Sequence, residues 1–229
     1  MKAAVIIFPG SNCDRDLISV IDALWAEKGE VQPVWHADNQ LPSVDLVALP
    51  GGFSYGDYLR SGAMAAHSPI LKEVKAHADR GGLVLGICNG FQILTETGLL
   101  PGTLLQNSGL KFLCKDTTLR VENNSTPFTR GYDKGQRISI PIAHHEGNYF
   151  ADADTHKALQ DHDQIAFRYC DDTGALNDNA NPNGSLDHIA GVFNKNKNVL
   201  GLMPHPERHA DAATGGEDGK ALFTGLLAA

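Results

Sequence analysis

Aliphatic residues come in short unbroken runs through the first half of the chain, separated by polar or glycine-rich stretches. Ala3 to Phe8 is such a run, closed by Pro9 and Gly10, and reads as a strand buried on both faces of a parallel sheet. The period then changes: Leu17, Val20, Ile21, Leu24 and Trp25 recur at helical spacing. Ser11 or Asn12 stands where a cap belongs, Asp14 and Asp16 lie in the first turn, and Gly29 lies past the end. Val31 to Trp35 and Val44 to Leu49 are further strands, and Ser68-Pro69 opens a helix with Ile70, Leu71, Val74 and Ala76 as its apolar positions. After Gly81-Gly82 a strand from Leu83 ends at Cys88, and a helix over Phe91 to Thr97 follows with almost no loop.

Beyond Gly98 and Pro101 the pattern turns to β character, with runs at Leu110 to Val121, Arg137 to Ala143, Ile165 to Tyr169, His188 to Phe193 and Val199 to Met203. Asp171 to Ser185 is crowded with Asn, Asp and Gly, and Asn181-Pro182-Asn183-Gly184 reads as a turn joining two antiparallel strands. Asp218 to Leu227 closes the chain as a helix. Strands alternating with helices predict an α/β fold of the flavodoxin-like kind, a mostly parallel sheet with helices on both faces and a smaller antiparallel β part. No composition break, repeat or low-complexity segment interrupts it, so residues 1–229 are expected to form a single domain.

Composition narrows the partners. A chain of 229 residues buries roughly 70% of its unfolded surface and needs no staples. The net charge is −8 and neither Lys nor Arg clusters, which argues against nucleic acid or another polyanion held by charge. Cys13, Cys88, Cys114 and Cys170 are widely spaced and form no Cys-x-x-Cys pair, so a reducing, cytoplasmic setting is expected. No run approaches the ~20 apolar residues of a membrane span, and the apolar start is too short for a signal peptide.

Cys88 carries the strongest chemical signal. It ends a strand, opens a helix and has Gly86 and Gly90 two residues to either side, the sequence form of a nucleophile elbow. The first amides and the dipole of the following helix suit a thiolate there; the bland alternative is a small buried core cysteine. A thiol nucleophile needs a base. In Met203-Pro204-His205-Pro206-Glu207 the prolines favour an extended chain, which would place the Glu207 carboxylate beside the His205 imidazole. Taken alone, a His-x-Glu reads more readily as an exposed polar corner at a strand end. Cys13 is a rival nucleophile, disfavoured by Asp14 and Asp16 and by the lack of flanking glycines. No metal is expected: His205, Glu207 and His209 alternate on one segment and converge poorly on a tetrahedral ion, and the group His144, His145 and Glu146 has no cysteine ligand to complete it. Gly51, Gly52 and Phe53 read either as an oxyanion hole, with backbone N–H groups joined by that of Asn89, or as a tight turn. His144 and Glu146 read either as substrate contacts or as a solvated strand end.

Gly86-Ile-Cys-Asn-Gly-Phe-Gln92 together with Pro204-His-Pro-Glu207 resembles the class I, triad-type glutamine amidotransferases. Phe8-Pro-Gly-Ser-Asn-Cys-Asp14, Gly51-Gly-Phe-Ser-Tyr-Gly-Asp57, Val121-Glu-Asn-Asn124, Asn181-Pro-Asn-Gly-Ser185 and Val199 to Arg208 are similar to one branch, the glutaminase subunits of phosphoribosylformylglycinamidine synthase. His145 stands where the branch commonly has glycine, and Ser61 where it commonly has alanine. The resemblance implies a glutaminase in which Cys88, His205 and Glu207 act on the side-chain amide of glutamine and Gln92 helps to place it. It implies ammonia delivery to a large synthetase subunit, which would bind ATP and magnesium, in a complex with a small bridging subunit. No cofactor is expected in this chain, which has no Gly-x-x-x-x-Gly-Lys-Ser/Thr run. A glutaminase of another pathway, such as pyridoxal phosphate synthesis, or a non-catalytic binding protein on the same fold are the competing readings.

Overall fold

A computed structural model describes residues 1–227. The first half of the chain runs β1 (Lys2–Ile7), α1 (Asp14–Trp25), β2 (Glu30–Trp35), β3 (Leu46–Leu49), α2 (Ile70–Asp79), β4 (Leu83–Ile87) and α3 (Asn89–Glu96). The second runs β5 (Thr103–Leu105), β6 (Leu113–Val121), β7 (Arg137–His144), β8 (Asn148–Phe150), α4 (Ala153–Asp161), β9 (Ile165–Tyr169), β10 (Ile189–Phe193), β11 (Val199–Leu202) and α5 (Lys220–Leu226).

The main sheet has nine strands in the order β2-β1-β3-β4-β11-β10-β9-β6-β7, and β5 and β8 form a separate antiparallel ribbon. From β2 to β11 every pairing is parallel, and from β11 to β7 every pairing is antiparallel. The antiparallel part therefore extends the parallel sheet by its β11 edge. Right-handed crossovers put α1 and α2 on opposite faces, because β1 to β2 and β3 to β4 step in opposite directions along the sheet. That covering explains why all four residues of β3 and of β11 are buried. Pro33 and Pro141 both sit in strands, and those strands, β2 and β7, are the two edges, where a missing N–H breaks no ladder. One continuous apolar cluster reaches from Ala3 to Leu226. Among the described residues no helix is long and apolar enough to cross a membrane.

Several expectations shift. Cys13 rather than Ser11 or Asn12 occupies the α1 cap position and makes no side-chain cap bond; the Ser11 hydroxyl instead accepts from the Phe8 N–H. Gly29 is extended, at φ −160°, and is required by packing: a Cβ there would lie 2.7 Å from the Trp25 ring. The helix expected from Phe91 begins at Asn89, directly after the elbow. β9 and β10 are antiparallel neighbours, yet the segment 170–188 joins them by a long excursion and no tight hairpin. α4 escapes the sequence pattern because only Leu159 in it is buried, so its apolar period is faint. Its cap is regular: Asp152 accepts from the Thr155 N–H at 2.8 Å. β5 and β8 are three residues each, too short for any period to register.

Candidate active site

β4 delivers Cys88 to the carboxyl edge of the parallel half, and Cys88 is the turn between strand and helix. Its φ of 50° and ψ of −106° are unfavourable for a side chain with a Cβ, at a cost of about 1–3 kcal/mol. The strain thus falls on the cysteine itself. Neither flanking glycine has positive φ; both are needed for room. A Cβ on Gly90 would lie 2.0 Å from the Leu49 carbonyl oxygen, and one on Gly86 would lie 2.5 Å from the Leu94 side chain. The strand and helix can close this tightly only without those methyl groups. The Cys88 amide donates to the Leu202 carbonyl at 2.8 Å, which ties the elbow to β11.

β11 in turn leads to His205, whose amide donates to the Pro141 carbonyl at 2.8 Å. His205 Nδ1 and Glu207 Oε1 are 2.6 Å apart, and both side chains are buried. The pairing matches the expected one, but the backbone does not stay extended. His205 is non-helical (φ −105°, ψ 81°), as a residue before proline should be, while Pro206–Arg208 forms a 3₁₀ turn because no proline follows Glu207. Burial opposes charging the imidazole, yet Glu207 and Cys88 together outweigh it and hold the His205 pKa above its ordinary value. Nε2 of His205 has no formed hydrogen bond, and the Cys88 thiol points to the Ala143 carbonyl at 3.7 Å.

Cys13 lies behind this pair. Burial pushes its thiol up to about 12, against the pull of Arg208, whose guanidinium donates to Sγ at 3.1 Å. A thiol in that state is a poor nucleophile. Ligand atoms of Cys13, His205 and Glu207 lie within 4.8 Å of one another, but the adjacent Arg208 guanidinium opposes a cation there. His209 turns away, its ring meeting the Ser139 carbonyl and Asp116, so the alternating residues do not converge.

The loop after β3 packs against the loop after β1. Gly52, at φ +145°, has Gly10 O, Asn12 N and Ser11 Cα within 2.7 Å of where a Cβ would stand, and Gly10, at φ +89°, faces the Phe53 carbonyl as closely. The Phe53 N–H donates to Gly10 O at 2.9 Å. Among the described residues the amides of Gly51, Gly52 and Asn89 have no backbone acceptor, whereas that of Phe53 is taken. Gln92 donates from Nε2 to the Glu146 carbonyl at 2.6 Å and accepts from Asn89 Nδ2 at 2.9 Å. Asn89 Oδ1 takes the Ser54 N–H. Above Cys88 opens a cavity of about 240 Å³, lined by Gly52, Phe53, Gln92, His144 and Glu146 among others. His145, Asp57 and Ser61 also line it. Sequence reasoning does not single out Asp57 as a site residue, although it closes the glycine-rich loop that the sequence does flag.

A thiol on a strained strand-to-helix turn, served by a histidine–carboxylate pair that follows the adjacent parallel strand, is the arrangement of the triad-type glutamine amidotransferases. Residues 1–216 match the family model of the CobB/CobQ-like glutamine amidotransferase domain, and the chain belongs to that family. Within it, the chain is 58% identical, over the full length of both, to phosphoribosylformylglycinamidine synthase subunit PurQ of Roseobacter denitrificans. It is 56% identical to the protein of that name from Ruegeria pomeroyi, covering 100% of this chain and 98% of the relative. Among solved structures, a chain of PurLQS from Thermotoga maritima superposes with a TM-score of 0.87 at 47% identity, covering 99% and 97% of the two chains. A glutamine amidotransferase from Thermotoga maritima (TM-score 0.61, 15% identity, covering 92% and 77%) shares the fold.

Proposed function

We propose that this chain is the glutaminase subunit of phosphoribosylformylglycinamidine synthase, releasing ammonia from glutamine for a synthetase subunit in purine biosynthesis. The observation that carries the chemistry is that Cys88, which lines the cavity, lies beside the buried His205–Glu207 pair: a Cβ on Gly51 would stand 2.7 Å from His205 Cε1 and 3.4 Å from Cys88 Cβ. Identity above 50% along the whole chain to subunits of that synthase supports the pathway.

His205 already holds the proton as imidazolium, and Cys88 Sγ attacks the carboxamide carbon of glutamine as the thiolate. The oxyanion forms against the N–H groups of Gly52 and Asn89. His205 returns the proton to nitrogen, the C–N bond breaks and ammonia leaves, and a γ-glutamyl thioester remains on Cys88. Water, deprotonated by His205, attacks the thioester carbon; the C–S bond breaks and glutamate and free Cys88 result. Glu207 fixes the imidazole orientation and stabilises its charged form. Gln92 and Phe53 border the glutamine site. Ammonia passes to a large synthetase subunit, which holds ATP and magnesium, in a cytoplasmic complex that includes a small bridging subunit.

The test is a steady-state assay of the purified chain with and without the synthetase, following glutamate release from glutamine. The reading predicts release that depends on Cys88 and rises when the synthetase is added. Glutamate release unaffected by Cys88→Ala would sink it.

A further inference from the structure

His144 is a second buried histidine at the site. It ends β7, lines the cavity above Cys88 and is 2% exposed. The nucleophile meets the same strand end, for Cys88 Sγ points to the Ala143 carbonyl at 3.7 Å. Asn107, buried as well, fixes the ring. Its Nδ2 donates to the carbonyls of His144 and Lys111 at 2.9 and 2.8 Å, and its Oδ1 takes the Gly147 N–H at 3.0 Å, which settles the end of the amide that is oxygen. The same Oδ1 lies 3.0 Å from His144 Nδ1. Oxygen there only accepts, so the ring proton is on Nδ1 and Nε2 carries the lone pair. The Asn181–Ser185 turn finds its use here. Asn183 Nδ2 and the Ser185 hydroxyl both donate to the Gly147 carbonyl, at 2.8 and 3.2 Å, and Gly147 packs on the imidazole so closely that a Cβ would stand 2.6 Å from Nε2.

Nε2 of His144 is buried with no hydrogen-bond partner. A rigidly held, unpartnered acceptor costs stability unless the reaction brings it a donor. Nε2 of His205 is buried and unpartnered too, while its Nδ1 is committed to Glu207, and the two rings are close enough for the His205 charge to act on His144. When ammonia has left with the proton of His205, two imidazole lone pairs remain beside the Cys88 thioester. Water carries two hydrogens to meet them.

We propose that His144 is a catalytic residue of thioester hydrolysis: its Nε2 accepts one hydrogen of the attacking water while His205 Nε2 removes the other. The inference rests on the glutaminase reading. The water oxygen bonds to the thioester carbon, the C–S bond breaks and Cys88 leaves as the thiolate. The abstracted proton stays on His205, and the hydrogen that His144 held stays on the new carboxyl group. Burial keeps His144 neutral, so it does not compete with His205 for the proton. Hydrolysis needs this second contact more than thioester formation does. The amide nitrogen is placed by its covalent bond to glutamine, whereas water has no tether and is oriented only by what it touches.

The test follows the two half-reactions separately, in the full chain with its co-purified partners, by rapid quenching after mixing with glutamine. In His144→Phe, which keeps a ring but no acceptor, ammonia release in the first turnover is expected to slow far less than thioester decay, which should fall by about 10²-fold. A γ-glutamyl adduct then accumulates on Cys88 and is read by mass spectrometry of the intact chain. Hydroxylamine, nucleophilic without a base, should clear that adduct as the γ-glutamyl hydroxamate and restore turnover. His144→Leu is the second variant should the first not fold, and formation of the adduct itself shows that a variant is folded. A merely structural role would slow both half-reactions alike. Equal slowing, thioester decay at the wild-type rate, or an adduct that hydroxylamine does not clear would overturn the part given to His144 and leave Cys88 as the nucleophile. A wild-type protein that releases no ammonia from glutamine would overturn the glutaminase reading itself.

Discussion

Gly51 and the ring of His205 share one space: a Cβ on Gly51 would stand 2.7 Å from Cε1 of the imidazole, 3.3 Å from Cys13 Sγ and 3.4 Å from Cys88 Cβ. The ring can give way only by straining its bond to Glu207 and the backbone bond of His205 to Pro141. Gly51→Ala is therefore expected to lower kcat by about 10²-fold through displacement of the base. The thermal midpoint should fall as well, because forcing a methyl group into a filled, buried site costs about 1–3 kcal/mol. Activity near that of the wild type would show that the imidazole tolerates displacement.

Glu207 is what holds His205 protonatable in a buried site. Glu207→Gln should lower kcat by about 10²- to 10⁴-fold, and NMR should find the His205 imidazole deprotonating at lower pH than in the wild type. The sign for stability follows from the raised pKa. The ion pair contributes fully below the unfolded histidine value of about 6.5 and loses that contribution as pH rises through the folded value, about 10. The stability gap between wild type and Glu207→Gln should shrink over that window; a gap that widens with pH would contradict the pairing.

Two cysteines near the site should differ sharply. With burial holding the Cys13 thiol up to about 12, iodoacetamide at pH 8 is expected to leave Cys13 unmodified while alkylating Cys88 and the exposed Cys114. Peptide mapping reads all three. Modification of Cys13 ahead of Cys88 would reverse the choice of nucleophile.

His144 is buried and neutral, its pKa lowered to about 3 by burial and by the neighbouring His205 charge. Its contribution is present above pH about 6.5 and is lost as pH falls toward 3, with a slope of up to about 1.4 kcal/mol per pH unit. Urea unfolding of wild type and His144→Gln across pH 4 to 7 should show the shallower acid slope in the variant. Parallel slopes would place the acid sensitivity elsewhere.

The parallel half of the sheet is legible in the sequence because its inner strands are short, mostly aliphatic runs, ended by proline after Ala3–Phe8 and after Leu46–Leu49. The elbow is legible because Gly86 and Gly90 bracket Cys88, although the reason for those glycines, a helix pressed onto the Leu49 carbonyl, exists only in three dimensions. His205 and Glu207 are readable as a pair. What brings them to Cys88 is the pairing of β11 with β4, between residues more than a hundred positions apart, which no local period encodes. The state of the Phe53 amide is hidden for the same reason, since its acceptor is Gly10 on another loop. Asp57 escapes notice because a lone aspartate after glycine reads as turn chemistry. Its place at the cavity shows only in the fold.

The most direct test of the central claim is the nitrogen source of the assembled enzyme. With Cys88→Ala in complex with the synthetase, synthesis of formylglycinamidine ribonucleotide from glutamine should disappear while synthesis from ammonium salts continues near the wild-type rate. Retained use of glutamine, or loss of both activities in an intact complex, would contradict the assignment of Cys88 as the nucleophile that liberates ammonia.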